Sequence, residues 1–170
     1  RADPEVVVLV DEAYHEFVDD PSYASAVPMI ASTPRVFVSR TFSKAYGLAG
    51  LRVGYALGSE EFRAAVDRVR QPFAVNRLAQ AAATEALRHQ DDVVHRVEWN
   101  AVERLWMEEE LAQLGLAVAD SQANFCWVSL GDRDESGVVG GLARAGVAVR
   151  PGKALGGPGF LRVSYGTRAE

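Results

Sequence analysis

The run "EVVVLVDEAY" constrains the fold more than any other part of the chain. Glu5 is followed by Val6, Val7, Val8, Leu9 and Val10, and the run stops at the acids Asp11 and Glu12. A short apolar stretch without polar alternation is expected of a parallel strand covered on both faces. Residues 35–40, "RVFVSR", and 52–57, "RVGYAL", read the same way. A helix-sized segment containing "SYASAVPMIAS" separates the first two. Strand, helix, strand in this order predicts a parallel α/β sheet with right-handed crossovers.

From Glu60 the pattern becomes helical. "SEEFRAAVDRVRQ" begins with a Ser59 cap and acids in its first turn, and it carries Phe62, Val66 and Val69 on one face. "NRLAQAAATEALRHQ" starts at an Asn76 cap and is rich in helix formers. Residues 91–115 form a long helical pattern with an apolar stripe of Val94, Val97, Ala101 and Leu105, ending at Gly115. Such a helix is about 37 Å long, enough to link two domains. After it, "LAVAD", "NFCWVSL", "VAVRP" and "FLRVSYG" read as strands and "DESGVVGGLARAG" as a weak helix, the make-up of a small α+β domain. The predicted division is residues 1–90 and 91–170.

Hydrophobic residues are 48% and charged residues 24% of the 170, an ordinary globular composition. The net charge of −5 gives no general attraction for nucleic acid or membrane, although a few arginines can still serve a small anion. The single Cys126 excludes an internal disulfide and a CxxC metal site, and its apolar setting predicts a buried thiol. The start carries no signal or transit pattern, so a cytoplasmic enzyme or enzyme piece is expected. Both ends read as cut: the chain enters a strand almost at once and stops at "GTRAE", which resembles the first turn of a helix.

Three groups of residues can carry chemistry. Asp11 falls at the carboxyl end of an apolar strand, where α/β folds place their ligands; there an acid can serve a cationic ring or a metal. Glu12, Glu16, Asp19 and Asp20 read as a solvated acidic loop. A zinc-protease pattern fails because Asp19 stands where a second histidine would follow His15. The second group lies in "SRTFSKAYGLAGLRVGY". Thr41, Ser43 and Arg52 can bind a phosphate dianion, and Gly47, Gly50 and Gly54 allow turns and close approach. Neither GxxxxGK[ST] nor GxGxxG occurs. Lys44 beside such a site is either a surface lysine or an amine that forms a Schiff base with a carbonyl cofactor. The third group is Arg150 in "GVAVRPG" and Arg162 in "GFLRVSYG". An arginine in an apolar strand pairs with an internal carboxylate or waits for an anionic substrate.

"DEAYHEF", "SRTFSKAYGLAGLRVGY", "NFCWVSL", "GVAVRPG" and "LRVSYGTRAE", in that order, resemble fold-type I pyridoxal-phosphate aminotransferases. Within them the resemblance is to the histidinol-phosphate aminotransferase subfamily and its aromatic aminotransferase relatives. It covers nearly the whole chain, and the SKAxGLAGLRxGY element is its most specific part. It implies an α/β fold: part of a large cofactor domain with a mainly parallel sheet, then a linking helix and a small C-terminal α+β domain. It implies that Lys44 forms the Schiff base with pyridoxal 5′-phosphate, that Asp11 pairs with the pyridine nitrogen and that Tyr14 binds O3′. Thr41, Ser43 and Arg52 would hold the cofactor phosphate. Arg162, with Arg150 nearby, would bind the anionic end of the substrates; Asn124 matches a family asparagine without a defined role.

The implied reaction moves an amino group between histidinol phosphate, or an aromatic amino acid, and 2-oxoglutarate in a homodimer. Family members are about twice as long, and their N-terminal half, absent here, completes the site. The isolated chain is therefore expected to lack transaminase activity and to self-associate through exposed sheet edges. Three rivals are a threonine-phosphate decarboxylase-like lyase, a noncatalytic aminotransferase-derived module and a nucleotide-binding α/β domain.

Overall fold

A computed structural model describes residues 6–168. Glu5 of the expected first strand and the last two residues of "GTRAE" lie outside that range. The chain divides into two compact units, Arg1–His95 and Arg96–Glu170.

The first unit holds a three-stranded sheet of β1 (Val8–Asp11), β2 (Val36–Thr41) and β3 (Gly54–Leu57), in that order. β1 and β2 run parallel, with Asp11 opposite Ser39. β2 is central and buries Val36, Phe37 and Val38. β1 departs from the expectation of cover on both faces: Leu9 is 61% exposed, because β1 is an edge strand with only β2 beside it. β3 runs antiparallel to β2, with Thr41 opposite Gly54. The reason is the connection. Residues 42–53 form a tight loop with only a short 3₁₀ turn at Ala49–Leu51, and a parallel return needs a crossover long enough for a helix.

The segment between β1 and β2 also differs from expectation. In place of an α-helix it carries 3₁₀ turns at His15–Phe17 and Val27–Ala31. Pro28 lacks an amide donor, and the amide of Ala26 is already bonded to the Glu12 carboxylate.

The helices that follow match their local signals. α1 (Glu60–Val69) is capped by Ser59 Oγ, which accepts from Phe62 N. α2 (Arg77–Ala86) is capped by Asn76 Oδ1, which accepts from Ala79 N at 2.8 Å. Of the α1 stripe, Phe62 stacks on Phe37 at 3.6 Å while Val69 stays exposed. Phe42, Val53, Ala79 and Ala83 form a buried cluster that packs α2 beneath the loop after β2.

α3 (Gln90–Gln113) ends before Gly115, whose φ of +70° suits glycine. Its expected stripe is not its buried face: Val94 and Leu105 are exposed, whereas Glu103 and Arg104 are buried. Glu103 is bonded by Trp99 Nε1 at 3.2 Å and by Arg168 Nε at 3.3 Å, and Arg104 donates to the carbonyl of Ser121. Satisfied polar groups thus occupy the position that apolar periodicity assigned to valine and leucine.

The second unit contains an antiparallel sheet in the order β4 (Ala117–Val118), β5 (Phe125–Ser129), β7 (Phe160–Ser164), β6 (Arg150–Pro151). α4 (Glu135–Arg144) precedes β6 and is capped by Asp134, which accepts from Gly137 N at 2.7 Å. Cys126, Val128 and Leu161 form the sheet's buried side.

Candidate active site

In the first unit the candidate residues gather at one end of the sheet. Asp11 closes β1, and its described hydrogen bonds, from Ala13 N at 3.1 Å and Ser39 Oγ at 3.2 Å, both fall on Oδ1. The chain after β2 turns sharply. Thr41 Oγ1 accepts from Ser43 N at 3.1 Å, Leu48 N donates to Phe42 O and Gly47 N donates to Lys44 O. Lys44 Nζ stands 5.1 Å from the centroid of the Tyr14 ring. It makes no ion pair among the described residues. Lys44 is half-buried, and the loop that carries it is anchored where Phe42 packs against Tyr46 at 4.9 Å and Tyr55 at 5.6 Å.

Arg52 has φ 55° and ψ 54°, a left-handed conformation that is costly for a residue with a long side chain. That backbone turns its guanidinium back across the loop. NH1 donates to Ala49 O at 2.8 Å and lies 3.4 Å from Ser43 Oγ. Strain of this kind concentrates at binding sites. Gly54 faces Thr41, and a Cβ there would meet Arg40 O at 2.7 Å, so only glycine lets β3 approach the threonine.

Glu12 corrects the expectation of a solvated acidic loop. It is 4% exposed and accepts from Ala26 N at 2.7 Å, Ser25 Oγ at 2.9 Å, and Arg40 Nε and NH2 at 3.0 and 2.8 Å. Burial alone would push its carboxyl up. The bonds from Ala26, Arg40 and Ser25, together with the Arg40 charge, outweigh burial and hold it below its ordinary value. Asp19 and Asp20 are exposed as expected, and one oxygen of Glu16 is buried without a hydrogen-bond partner. Glu12, Ser25, Ser39 and Arg40 are absent from the sequence-predicted set. The available signal was Arg40 itself, an arginine inside a buried strand that requires a carboxylate.

In the second unit Arg162 lies on β7, with its guanidinium over the Phe125 ring at 4.1 Å. It has no carboxylate partner among the described residues, and its Nε is buried without a hydrogen bond. Of the two alternatives left open for Arg162, the internal ion pair is therefore not the one observed. Arg150 on β6 is its direct register partner, which sets two cations opposite each other. Like charges so placed repel unless an anion joins them. Asn124 precedes β5, and its Oδ1 is also buried and unbonded. Its backbone is held by Tyr165 N to Asn124 O at 3.1 Å, and the residue before it by Asn100 Nδ2 to Ala123 O at 3.2 Å. Cys126 is fully buried, and burial pushes its thiol up to about 11. No cluster of metal-ligating residues occurs among the described residues.

A carbonyl cofactor with a phosphate and a pyridine ring suits the donor set of the first unit: a lysine amine without an ion pair, hydroxyls of Thr41 and Ser43, a strained arginine and a carboxylate at a strand end. The profile of the class I and II aminotransferases matches residues 2–170, so the chain belongs to that family, whose cofactor is pyridoxal phosphate. It is 45% identical over 168 residues to histidinol-phosphate aminotransferase 1 of Cupriavidus pinatubonensis, covering 98% of this chain and 45% of that protein. It is 41% identical to an aromatic amino acid aminotransferase of Streptomyces coelicolor, over 100% of this chain and 50% of that protein. Among solved structures, histidinol-phosphate aminotransferase of Sinorhizobium meliloti in complex with pyridoxal 5′-phosphate matches with a TM-score of 0.85 and 31% identity, over 98% of this chain and 46% of that one. The chain spans about half the length of the curated relatives it matches.

Proposed function

We propose that the chain forms part of an aminotransferase that moves an amino group between histidinol phosphate and 2-oxoglutarate. The observation that carries this reading is the loop after β2, where Arg52 in its left-handed conformation reaches Ser43 beside Lys44. When bound, pyridoxal phosphate supplies an aldehyde for an amine and a ring that accepts electrons from a carbanion. Lys44 would provide that amine in a Schiff base. The Asp11 carboxylate would keep the ring nitrogen protonated, and the Tyr14 hydroxyl would bond O3′. Thr41, Ser43 and Arg52 would bind the phosphate oxygens through hydroxyls and a charged fork.

With the cofactor held, Lys44 would take the substrate α-proton and later return one, as base and then acid. Arg162 would bind the anionic end of either substrate, with Arg150 assisting, because phosphate and carboxylate both suit a guanidinium. The buried, unbonded Nε of Arg162 and Oδ1 of Asn124 support a ligand there. Residues 1–90 would belong to the cofactor domain and 91–170 to the linking helix and small domain. That the enzyme is a cytoplasmic homodimer follows from the family resemblance alone.

The likeness to the Streptomyces aromatic enzyme favours a second reading, with an aromatic amino acid as donor. Assay of the full-length protein with either donor and 2-oxoglutarate decides. Glutamate formation from histidinol phosphate is expected. Release of CO2 without an oxo product would contradict the proposal and favour a lyase. The 170-residue chain alone is expected to show no steady-state transamination.

A further inference from the structure

We propose that the pair of buried Glu12 and half-buried Arg40 is a positioning device that sets the spacing between Asp11 and the Thr41–Lys44 loop from the reverse face of the same two strands. The proposal rests on the aminotransferase reading of Asp11, Thr41 and Lys44. Successive strand residues point to opposite faces. Asp11 and Ser39 meet on one face through Ser39 Oγ at 3.2 Å. Glu12 and Arg40, each the next residue, meet on the other at 2.8 Å. The lock thus lies one residue from the strand end that carries Asp11 and one residue before Thr41.

Its reach extends beyond two strands. Ser25 Oγ bonds both Glu12 oxygens and lies 3.1 Å from Arg40 NH2, and the Ala26 amide holds Glu12 as well. This ties the connecting segment to the strand ends. Arg40 pairs in register with Tyr55 of β3, and Tyr55 packs against Phe42 at the start of the lysine loop. His15 Nδ1 stands 3.9 Å from Glu12 Oε2 and 3.1 Å from the Tyr23 hydroxyl, and the Tyr55 hydroxyl faces Arg40, so these three titratable groups face the pair. A buried ion pair seldom adds net stability over apolar residues of the same volume. One that joins two strand ends, the segment between them and the neighbouring β3 is better explained by the geometry it enforces, as supporting residues do around other bound groups.

The test uses the full-length holoenzyme with pyridoxal 5′-phosphate as probe. Arg40→Lys keeps the charge and removes the two-nitrogen grip on Glu12. The expected result is a folded protein whose cofactor dissociation constant rises about tenfold, the scale seen when a residue orienting a binding group is changed. The absorbance band of the bound cofactor should also shift its pH midpoint, which a general loss of stability would not cause. If Arg40→Lys does not fold, Ser25→Ala is read by the same two measurements. A folded variant that matches wild type in dissociation constant and pH midpoint overturns the proposal. Absence of a borohydride-stable adduct on wild-type Lys44 overturns the aminotransferase reading itself. A normal adduct in both proteins with identical titrations overturns only the positioning role.

Discussion

Arg52 sits in a conformation that glycine would adopt without cost, at φ 55° and ψ 54°. Arg52→Gly should therefore leave the melting temperature unchanged or raise it. It should also weaken cofactor binding about tenfold or more, the worth of a charge-assisted hydrogen bond. Thermal melts and cofactor titration of the same variant measure both. Equal affinity would remove Arg52 from the phosphate site. The Glu12 carboxyl titrates below its ordinary value in the fold. Its stabilising contribution is accordingly present above its unfolded pKa and is lost as pH falls through the folded value. Glu12→Gln should flatten the acid limb of a stability-versus-pH curve and lower stability by about 1–3 kcal/mol, since the half-buried Arg40 loses a charged partner. Cys126, raised by burial to about 11, should resist a thiol reagent in the native protein at pH 8 and react fully once unfolded.

At the scale of elements, what could be read in advance depended on how local the cause was. Ser59 and Asn76 cap helices within three residues of themselves, so α1 and α2 were visible from spacing. The direction of β3 was not, because it is decided by the shortness of the loop after β2, a loop shaped around the candidate site. The 3₁₀ turn at Val27–Ala31 replaced a helix because Ser25 and Ala26 bind Glu12. The Glu12–Arg40 pair itself bridges 28 residues, so Arg40 in its strand signals that a carboxylate is needed but not which one supplies it. Lys44, Thr41, Ser43 and Arg52, by contrast, fall within one short stretch, and the resemblance could name them together. Gly54→Ala tests how tightly that stretch is built. A Cβ would stand 2.7 Å from Arg40 O, and the predicted loss is about 2 kcal/mol in urea unfolding. Asn76→Ala should cost about 1 kcal/mol and leave the cofactor site untouched.

For the whole molecule the sequence resemblance and the fold agree on family, while donor choice was not legible because nothing in "RQPFAVNRLAQAAATEAL" separates histidinol phosphate from an aromatic amino acid. β1 exposes Val8 and Leu9, and Val6 and Val7 just before it are exposed as well, along the edge of the three-stranded sheet among the described residues. Light scattering of the isolated chain is expected to show association that grows with concentration, and a clean monomer at high concentration would contradict it. The central claim is that Lys44 is the cofactor amine. Within these 170 residues the lysines are Lys44 and Lys153, and the deciding measurement is borohydride reduction of the full-length protein with pyridoxal phosphate, followed by peptide mass analysis that locates the labelled lysine. The account predicts a reduced adduct on the peptide containing Lys44. An adduct on any other lysine instead, or no adduct at all, would contradict it.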